Sequence, residues 1–393
     1  MTLRGFLQAL GAPVHDVEEE TFDLFAQDLP SQNLGFVDSR ASTVDITVAG
    51  RDFTIHQSPA VLSSNRAGGT TGAVLWKVTP LFAEWLAAPA NPLFAHGVLS
   101  SSSVVLELGC GVSALVGLLL APRVARCILT DQPYVARLVE LNIAENAKAA
   151  AAAASAAAAG ALSPRGGTPS AEVKKSHRER GARARKTEKA SSPGLTGPGL
   201  CDRVGFAPLD WETDVVTPAL ASWSGAGTPP PQTARKGHSH GRGNGTGKRS
   251  QSFDVVLCCD CVYNEALIEP LVSTCADACR LRAAAPVAAK AGGNGGGGGD
   301  GAAAGTRADG GCDDDEGADD APPTVCVVVQ QLRDPSVFEA WLGSFSRRFA
   351  VWRVPDEMLA LPGLKSSSGF VVHVGVLKGE VPEGLEVAGS EGE

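Results

Sequence analysis

Several features that would place a protein in a special class are missing from this 393-residue sequence. Its longest apolar run, near residues 114–121, is far shorter than the roughly 20 residues that cross a bilayer. The N-terminus lacks the hydrophobic segment of a secretory signal, and acidic residues follow soon, from Asp16 onward. No internal repeat is visible. We therefore expect a soluble protein of the cytoplasm, with the nucleus as a second candidate location and no membrane partner.

The ten cysteines form no regular disulfide framework, and several fall on predicted buried strands. This pattern indicates free thiols in a reducing compartment. Cys258, Cys259 and Cys261 are too close together for a standard pair of zinc ligands, and no Cys-x-x-Cys partner exists, so we expect no metal site. The net charge of −9 argues against broad nucleic-acid binding. A monomer is expected.

Three stretches are rich in alanine, glycine and serine and contain few large apolar side chains: about 148–200, 224–251 and 283–323. We interpret them as disordered inserts in one large domain, and the Ala-rich run from Ala147 to Leu162 as a linker. The predicted organisation is an N-terminal segment with a β-hairpin (1–60), the interrupted domain (61–378) and a flexible tail (379–393). The basic stretch 165–189 suits a solvated linker, a nuclear signal or a nucleic-acid tether, and these alternatives stay open.

Within the domain, strand patterns alternate with helical patterns. The predicted strands are Val104–Leu108, Ala125–Thr130, Val204–Leu209, Phe253–Cys259, Thr324–Gln330, Phe349–Val354 and Phe370–Leu377. Such alternation predicts an α/β fold with a doubly wound, mostly parallel, seven-stranded sheet. The last two strands are joined without a helix and must be antiparallel. A hairpin over residues 43–57 precedes the domain.

The first strand runs into a glycine turn with the sequence Glu107-Leu-Gly109-Cys110-Gly111, and Asp131 ends the next strand. In doubly wound sheets, ligands bind beyond the carboxyl ends of the strands. Glycines let the backbone approach a ligand closely, and an acid at the position of Asp131 can bind a ribose diol.

Glu107 favours one ligand over another. Its carboxylate, two residues before the first glycine, would repel a pyrophosphate but suits the cationic S-adenosylmethionine. A dinucleotide and a tight turn without a ligand remain as alternatives. Trp211, in Leu209-Asp-Trp211, follows the third strand near the expected adenine, and Trp76 could cover the pocket; either tryptophan could instead serve only packing.

Asp260 and Tyr263 follow the fourth strand, where the transferred methyl group would point. A carboxylate and a phenol can orient an amine, and methyl transfer depends mostly on positioning, so a general base is not required. His373 alternates along the last strand and is interpreted as structural.

These motifs resemble the class I, seven-stranded methyltransferases. More narrowly, Asp260-Cys-Val-Tyr263 and Gly72-Ala-Val-Leu-Trp76 resemble the protein lysine methyltransferases that carry an Asp-x-x-Tyr motif, methyltransferase family 16. The likeness covers about residues 36–378 apart from the inserts. Three further segments, Gln330–Trp341, Val351–Pro355 and Gly369–Gly375, resemble the members of this family that modify ribosomal proteins.

The resemblance implies methyl transfer from S-adenosylmethionine to a lysine of a protein, in the most similar members a large-subunit ribosomal protein of the L1 type. It implies cofactor contacts at Trp76, the Gly109–Gly111 turn, Asp131, Trp211 and Cys259, a position that is often alanine in the family. Two other hypotheses stay open: another acceptor, either a side chain or a small molecule, and a silent binding protein on the same fold.

Overall fold

A computed structural model describes residues 2–30, 35–66, 69–161, 199–225, 227–230, 232, 251–283 and 322–385. Most of each predicted insert, at 162–198, 233–250 and 284–321, lies outside the described residues, as does the end of the tail at 386–393. None of the described helices is both long and apolar enough to span a membrane.

The strands of the described residues are β1 (Thr43–Val48), β2 (Arg51–His56), β3 (Val104–Leu108), β4 (Arg126–Asp131), β5 (Val204–Pro208), β6 (Val255–Cys259), β7 (Val325–Gln331), β8 (Phe349–Arg353) and β9 (Phe370–Leu377). The α-helices are α1 (Leu3–Leu10), α2 (Val17–Phe25), α3 (Pro59–Leu62), α4 (Val78–Ala87), α5 (Pro92–Ala95), α6 (Leu115–Leu120), α7 (Ala136–Ala161), α8 (Pro218–Ala221), α9 (Glu265–Ala283) and α10 (Pro335–Arg348).

Seven strands form one sheet in the order β5-β4-β3-β6-β7-β9-β8, and β1 pairs with β2 in a separate hairpin. Strands β3 to β7 are parallel, whereas β9 is antiparallel to both of its neighbours, β7 and β8. This confirms the predicted doubly wound sheet with an antiparallel last strand. Because β9 lies between two strands, all eight of its residues are buried.

The core lies on both faces of this sheet. Alternate residues of a strand point to opposite faces, so Val105 packs in one hydrophobic cluster while Leu106 packs in the other. The first cluster holds the hairpin and helices α1, α4, α6 and α7 against the sheet, and the second holds α9 and α10. Glu107 follows on the same strand and is buried with an exposed fraction of 2%.

The hairpin is attached to the domain through two asparagines of α7. Asn142 accepts a hydrogen bond from the backbone N–H of His56 (2.8 Å) and donates to its carbonyl (2.9 Å). Asn146 does the same for Thr54, at 3.0 and 2.9 Å. Side-chain amides therefore satisfy the backbone groups on the outer edge of β2, where a further strand would otherwise pair.

Helix α7 corrects the prediction of a linker at Ala147–Leu162. The helix continues through the Ala-rich run as far as Ala161, and the first insert, predicted to start near 148, begins inside it. Alanine has the highest helix propensity of all residues, so the run extends the helix although it has few side chains to bury.

The N-terminal segment contains two helices that the sequence analysis does not predict. Asp16 caps α2 by accepting hydrogen bonds from the N–H groups of Glu18 (2.8 Å) and Glu19 (3.1 Å). Acidic residues in the first turn also favour the helix through its dipole. The helix packs on α10 and buries Glu20.

Candidate active site

A pocket opens at the carboxyl ends of strands β3 to β6. Nine of the ten residues singled out from the sequence line it: Trp76, Gly109, Cys110, Gly111, Asp131, Trp211, Cys259, Asp260 and Tyr263. The tenth, Glu107, is buried beneath its floor rather than on its wall.

The glycine turn brings the backbone close to neighbouring groups. Gly109 has a φ of 69°, and a Cβ there would lie 2.7 Å from Sγ of Cys261 and 3.0 Å from the ring of Trp211. Gly111, with a φ of 58°, donates its N–H to Oδ2 of Asp131 at 2.8 Å. Only glycine combines this backbone conformation with such short distances, so the turn fits the predicted role of a close backbone approach.

Two carboxyl groups lie below and beside the turn. Burial, followed by the charge of Asp131, raises the pKa of Glu107 to about 8, and its Oε2 has no hydrogen-bond partner. Burial also raises the pKa of Asp131, to about 6, although hydrogen bonds from Gly111 and Gln132 oppose this rise. Without a cation nearby, Glu107 and Asp131 therefore ionise less readily than exposed carboxyl groups.

Trp76 and Trp211 form two walls of the pocket. The indole N–H of Trp76 donates to the carbonyl of Thr71 at 2.9 Å, and its ring lies 4.5 Å from that of Phe36. Trp76 therefore packs against its neighbours and also lines the pocket. A packing role and a position over the pocket are thus compatible for this residue.

Asp260 and Tyr263 lie at the end of β6, but their environments differ. Asp260 has a φ of 58° and a side chain only 3% exposed, and both of its oxygens bind Arg333, at 2.7 and 2.5 Å. Tyr263 is 40% exposed and accepts a hydrogen bond from the hydroxyl of Thr71 at 3.2 Å. Burial raises the pKa of Tyr263, which keeps it a neutral phenol. Cys259, the residue before the motif, points its thiol towards Thr79.

Sequence reasoning missed three residues of the site. Arg333 lies in the Gln330–Trp341 segment, but nothing in that segment shows that it binds Asp260. Tyr134 was not singled out from the sequence, yet its hydroxyl accepts a hydrogen bond from the N–H of Gly72 at 3.1 Å. Thr71 stands just before the Gly-x-x-x-Trp segment, where a hydroxyl residue gives no signal of its own.

Three cysteines meet away from the pocket, on β6, α9 and β7. The thiols of Cys258, Cys275 and Cys326 lie within 4.8 Å of one another and are fully buried. They pack in the apolar cluster between the sheet and α9. The nine cysteines among the described residues are free thiols, as predicted.

The residues of the pocket fit S-adenosylmethionine. Of the described residues that line it, four are acids (Asp131, Asp210, Glu212 and Asp260) and none is lysine or arginine. The unpartnered Oε2 of Glu107 adds a further acceptor below the turn. A cationic ligand without phosphate suits this charge better than the pyrophosphate of a dinucleotide, which the carboxylates would repel.

Residues 56–162 match a family model described as lysine methyltransferase. This range includes β3, β4, Trp76, the glycine turn and Asp131, so the match covers several of the residues that line the pocket. It covers the first part of the sheet and not the Asp-x-x-Tyr motif.

Similarity to curated proteins is local. A diaminohydroxyphosphoribosylamino-pyrimidine deaminase from Schizosaccharomyces pombe is 32% identical over 34% of this chain and 32% of its own length. Ribosomal lysine N-methyltransferase 5 from Zygosaccharomyces rouxii is 38% identical over 24% of this chain and 34% of its own. The protein of the same name from Eremothecium gossypii is 26% identical over 62% of this chain and 70% of its own. The chain thus spans about a third of the first two relatives.

Among solved structures, the chain is similar to the N-methyltransferase NodS from Bradyrhizobium japonicum, bound to S-adenosylhomocysteine, with 9% identity and a TM-score of 0.27. The match covers 77% of this chain and 99% of that one. A TM-score of this size supports no conclusion. The family match, the relatives that share the name ribosomal lysine N-methyltransferase 5 and the seven-stranded sheet agree with one another. Residues 56–162 of the chain are thus similar to the lysine methyltransferase family.

Proposed function

We propose that this protein transfers a methyl group from S-adenosylmethionine to a lysine ε-amine of a protein. The observation that carries the proposal is the acidic pocket beyond β3 to β6, which has no lysine or arginine among its described lining residues. S-adenosylmethionine bears a net positive charge, so a pocket of this charge suits the cofactor.

In this proposal the cofactor is bound by the residues of the glycine turn and its neighbours. Asp131 binds the ribose diol, Trp211 packs on the adenine, and Glu107 stabilises the cationic methionyl end from below. Gly109, Cys110 and Gly111 supply the backbone, while Trp76 and Cys259 close the pocket. When bound, S-adenosylmethionine would supply an electrophilic methyl carbon: the amine lone pair would form the new C–N bond while the electrons of the C–S bond stay on the sulfur.

The acceptor enters at the mouth of the pocket beside Tyr263, whose half-exposed phenol orients the amine. The buried side chain of Asp260 lines the same end of the site. The amine must be neutral to attack, and a lysine has a reference pKa of about 10.4, so its proton goes to water before the transfer. No side chain is needed as a general base.

The acceptor we propose is a large-subunit ribosomal protein of the L1 type. The names of several relatives support a ribosomal substrate. We further propose a monomeric enzyme of the cytoplasm that binds its protein substrate without direct contact to nucleic acid. The basic segment at 165–189 lies outside the described residues.

The first experiment is calorimetric titration of the purified protein with S-adenosylmethionine and with NAD, using Glu107→Ala as the control. Micromolar binding of S-adenosylmethionine, weakened in the variant, supports the cofactor assignment. Binding of NAD alone would overturn it, and binding of neither would favour a silent binding protein.

The second experiment measures transfer of tritiated methyl to a purified L1-type ribosomal protein, followed by mass spectrometry of the labelled residue. Label on a lysine is the expected result. Label on another side chain, or on small amines but on no protein, would replace the proposed acceptor.

A further inference from the structure

We infer that Arg333 is a positioning residue that compensates the charge of Asp260, so that the acceptor lysine reacts as a neutral amine. This inference rests on the proposed function and assigns one part of it to a residue outside the pocket lining. It is carried by the geometry of the ion pair, by the packing around the guanidinium and by the charges of the pocket.

Most of the hydrogen-bond acceptor positions on the Asp260 carboxylate are occupied. Arg333 donates from Nη1 to Oδ1 (2.7 Å) and from Nη2 to Oδ2 (2.5 Å), and the backbone N–H of Gln331 donates to Oδ1 at 3.2 Å. A planar guanidinium and a carboxylate match in this two-bond arrangement. Asp260 faces the pocket as one half of a neutral pair rather than as a free anion.

The guanidinium is held on several sides. Arg333 also donates from Nη2 to Oε1 of Gln331 at 2.9 Å, and its Cζ lies 5.1 Å from the ring centre of Trp76. Gly35 approaches so closely that a Cβ there would lie 2.8 Å from Nη2. On the other side, Asp260 is fixed in a left-handed backbone conformation by a hydrogen bond from its N–H to the carbonyl of Val329. The pair is therefore preorganised for a single arrangement.

The charges around Asp260 show why compensation matters. The groups that interact electrostatically with it include the thiols of Cys259 and Cys261 and the phenol of Tyr263, and the pKa of each is raised. Asp131, Asp210 and Glu212 add negative charge on the other walls of the pocket. Among the described residues, Arg333 supplies the positive charge that pairs with both carboxylate oxygens of Asp260.

An uncompensated carboxylate beside the acceptor would stabilise the ammonium form and raise the pKa of the bound lysine. The reactive neutral amine would then be scarcer at neutral pH. Arg333 removes most of this effect while leaving the Asp260 side chain in place to shape the site. The matching of Asp260 with Arg333 thus removes a preference of this end of the site for the ammonium over the neutral amine.

The test compares Arg333→Gln, Arg333→Lys and the double variant Asp260→Asn/Arg333→Gln with the wild-type chain. The measurement is the single-turnover rate of tritiated methyl transfer from S-adenosylmethionine to the L1-type ribosomal protein between pH 6.5 and 11.5. In Arg333→Gln we expect the midpoint of the pH–rate profile, about 10.4 for an ordinary lysine, to rise by about one unit, which is roughly a tenfold loss of rate at pH 7.5. The two rates should converge only as the pH approaches the raised midpoint, at about 11.4.

A balanced charge at Asp260, rather than the shape of the arginine side chain, should restore the midpoint of the pH–rate profile. Arg333→Lys retains the charge and should have a midpoint near that of the wild type, and the double variant, which removes both charges, should return to it as well. A second readout is the affinity for the acceptor in the presence of S-adenosylhomocysteine, which should increase in Arg333→Gln at pH 7. The affinity for S-adenosylmethionine should change by less than about threefold.

A uniform loss of rate at every pH in Arg333→Gln, with the midpoint unchanged, would overturn the inference and leave Arg333 a structural role. A double variant that keeps the shifted midpoint would overturn it too, because no uncompensated charge remains there. Wild-type protein that transfers no methyl at any pH would instead defeat the proposed function, and the inference with it.

Discussion

Nε2 of His373, on strand β9, lies 2.9 Å from Oε1 of Glu20, on helix α2, although the two residues are 353 positions apart in the sequence. His373 is fully buried and Glu20 almost so, and Arg353 approaches the second oxygen of Glu20 at 3.5 Å. The contact joins the N-terminal segment to the far side of the sheet, away from the pocket. It gives His373 the structural role that its position on an alternating strand predicts.

We expect Glu20→Gln to destabilise the protein by roughly 1–3 kcal/mol at neutral pH, since it removes a charge-assisted hydrogen bond from a buried site. Burial acts to raise the pKa of Glu20, but His373 and then Arg353 outweigh it and lower the pKa. The stabilisation is therefore present above the unfolded pKa and is lost as the pH falls through the folded pKa. Urea unfolding at pH 7 and pH 3 measures both effects, with Glu18→Gln, on the exposed side of α2, as the control.

Glu107 should give the opposite pH dependence. Its folded pKa of about 8 lies above the ordinary value of 4.5, so the native state retains a proton that the unfolded chain releases. Stability without ligand should fall as the pH rises from about 5 to 8, by up to about 1.4 kcal/mol per pH unit from this group. Asp131, with a pKa of about 6, adds to the fall at the acidic end.

Glu107→Gln should flatten that dependence, as measured by unfolding at a series of pH values. Binding of S-adenosylmethionine near pH 7.5 should release a proton from Glu107, because a cation favours the carboxylate. Calorimetry in buffers of different ionisation enthalpy detects this proton. Proton release of equal size in Glu107→Gln would show that another group is responsible.

Gly109→Ala should weaken cofactor binding at least tenfold and also lower stability. The left-handed conformation costs a non-glycine residue about 1–2 kcal/mol, and the new Cβ must displace the thiol of Cys261 or the ring of Trp211. Gly343, inside α10, offers a matched control, since a Cβ there meets no atom within 4 Å. Gly343→Ala should stabilise the protein by about 0.5–1 kcal/mol and leave cofactor binding intact.

Variants at the acceptor end should separate transfer from cofactor binding. Asp260→Ala and Tyr263→Phe are expected to lower the rate of methyl transfer about tenfold or more, while the affinity for S-adenosylmethionine changes by less than about threefold. Single-turnover assays and calorimetry on the same preparations measure the two quantities. Equal losses of both, or no loss, would contradict the role proposed for these residues.

Most of the sheet could be predicted because buried parallel strands are short apolar runs. The run predicted as a strand at Phe253–Cys259, for example, forms β6 from Val255 to Cys259. The place of β9 between β7 and β8 could not be predicted, since a pair of antiparallel strands does not show which of them lies inside. Helix α7 runs through the predicted linker as far as Ala161 because alanine has the highest helix propensity.

The residues of the site were likewise predictable in part. Residues that stand at the carboxyl ends of strands were predicted from position and chemistry, and the fold brings them together. The partner of Asp260 was not predicted, because Arg333 is 73 residues away and becomes a neighbour only through the pairing of β6 with β7. Glu20 was missed for a similar reason: its acidic neighbours suggest a surface, while the fold buries it against His373.

Asn142 and Asn146 have a consequence for the behaviour of the protein at high concentration. A two-stranded sheet has an open edge that can pair with a strand of another molecule, which is a route to aggregation. Here the amides of α7 occupy the N–H and carbonyl groups of Thr54 and His56 that such a strand would need. The helix thereby takes the place of a neighbouring strand along β2 and keeps that edge of the hairpin from recruiting a second chain.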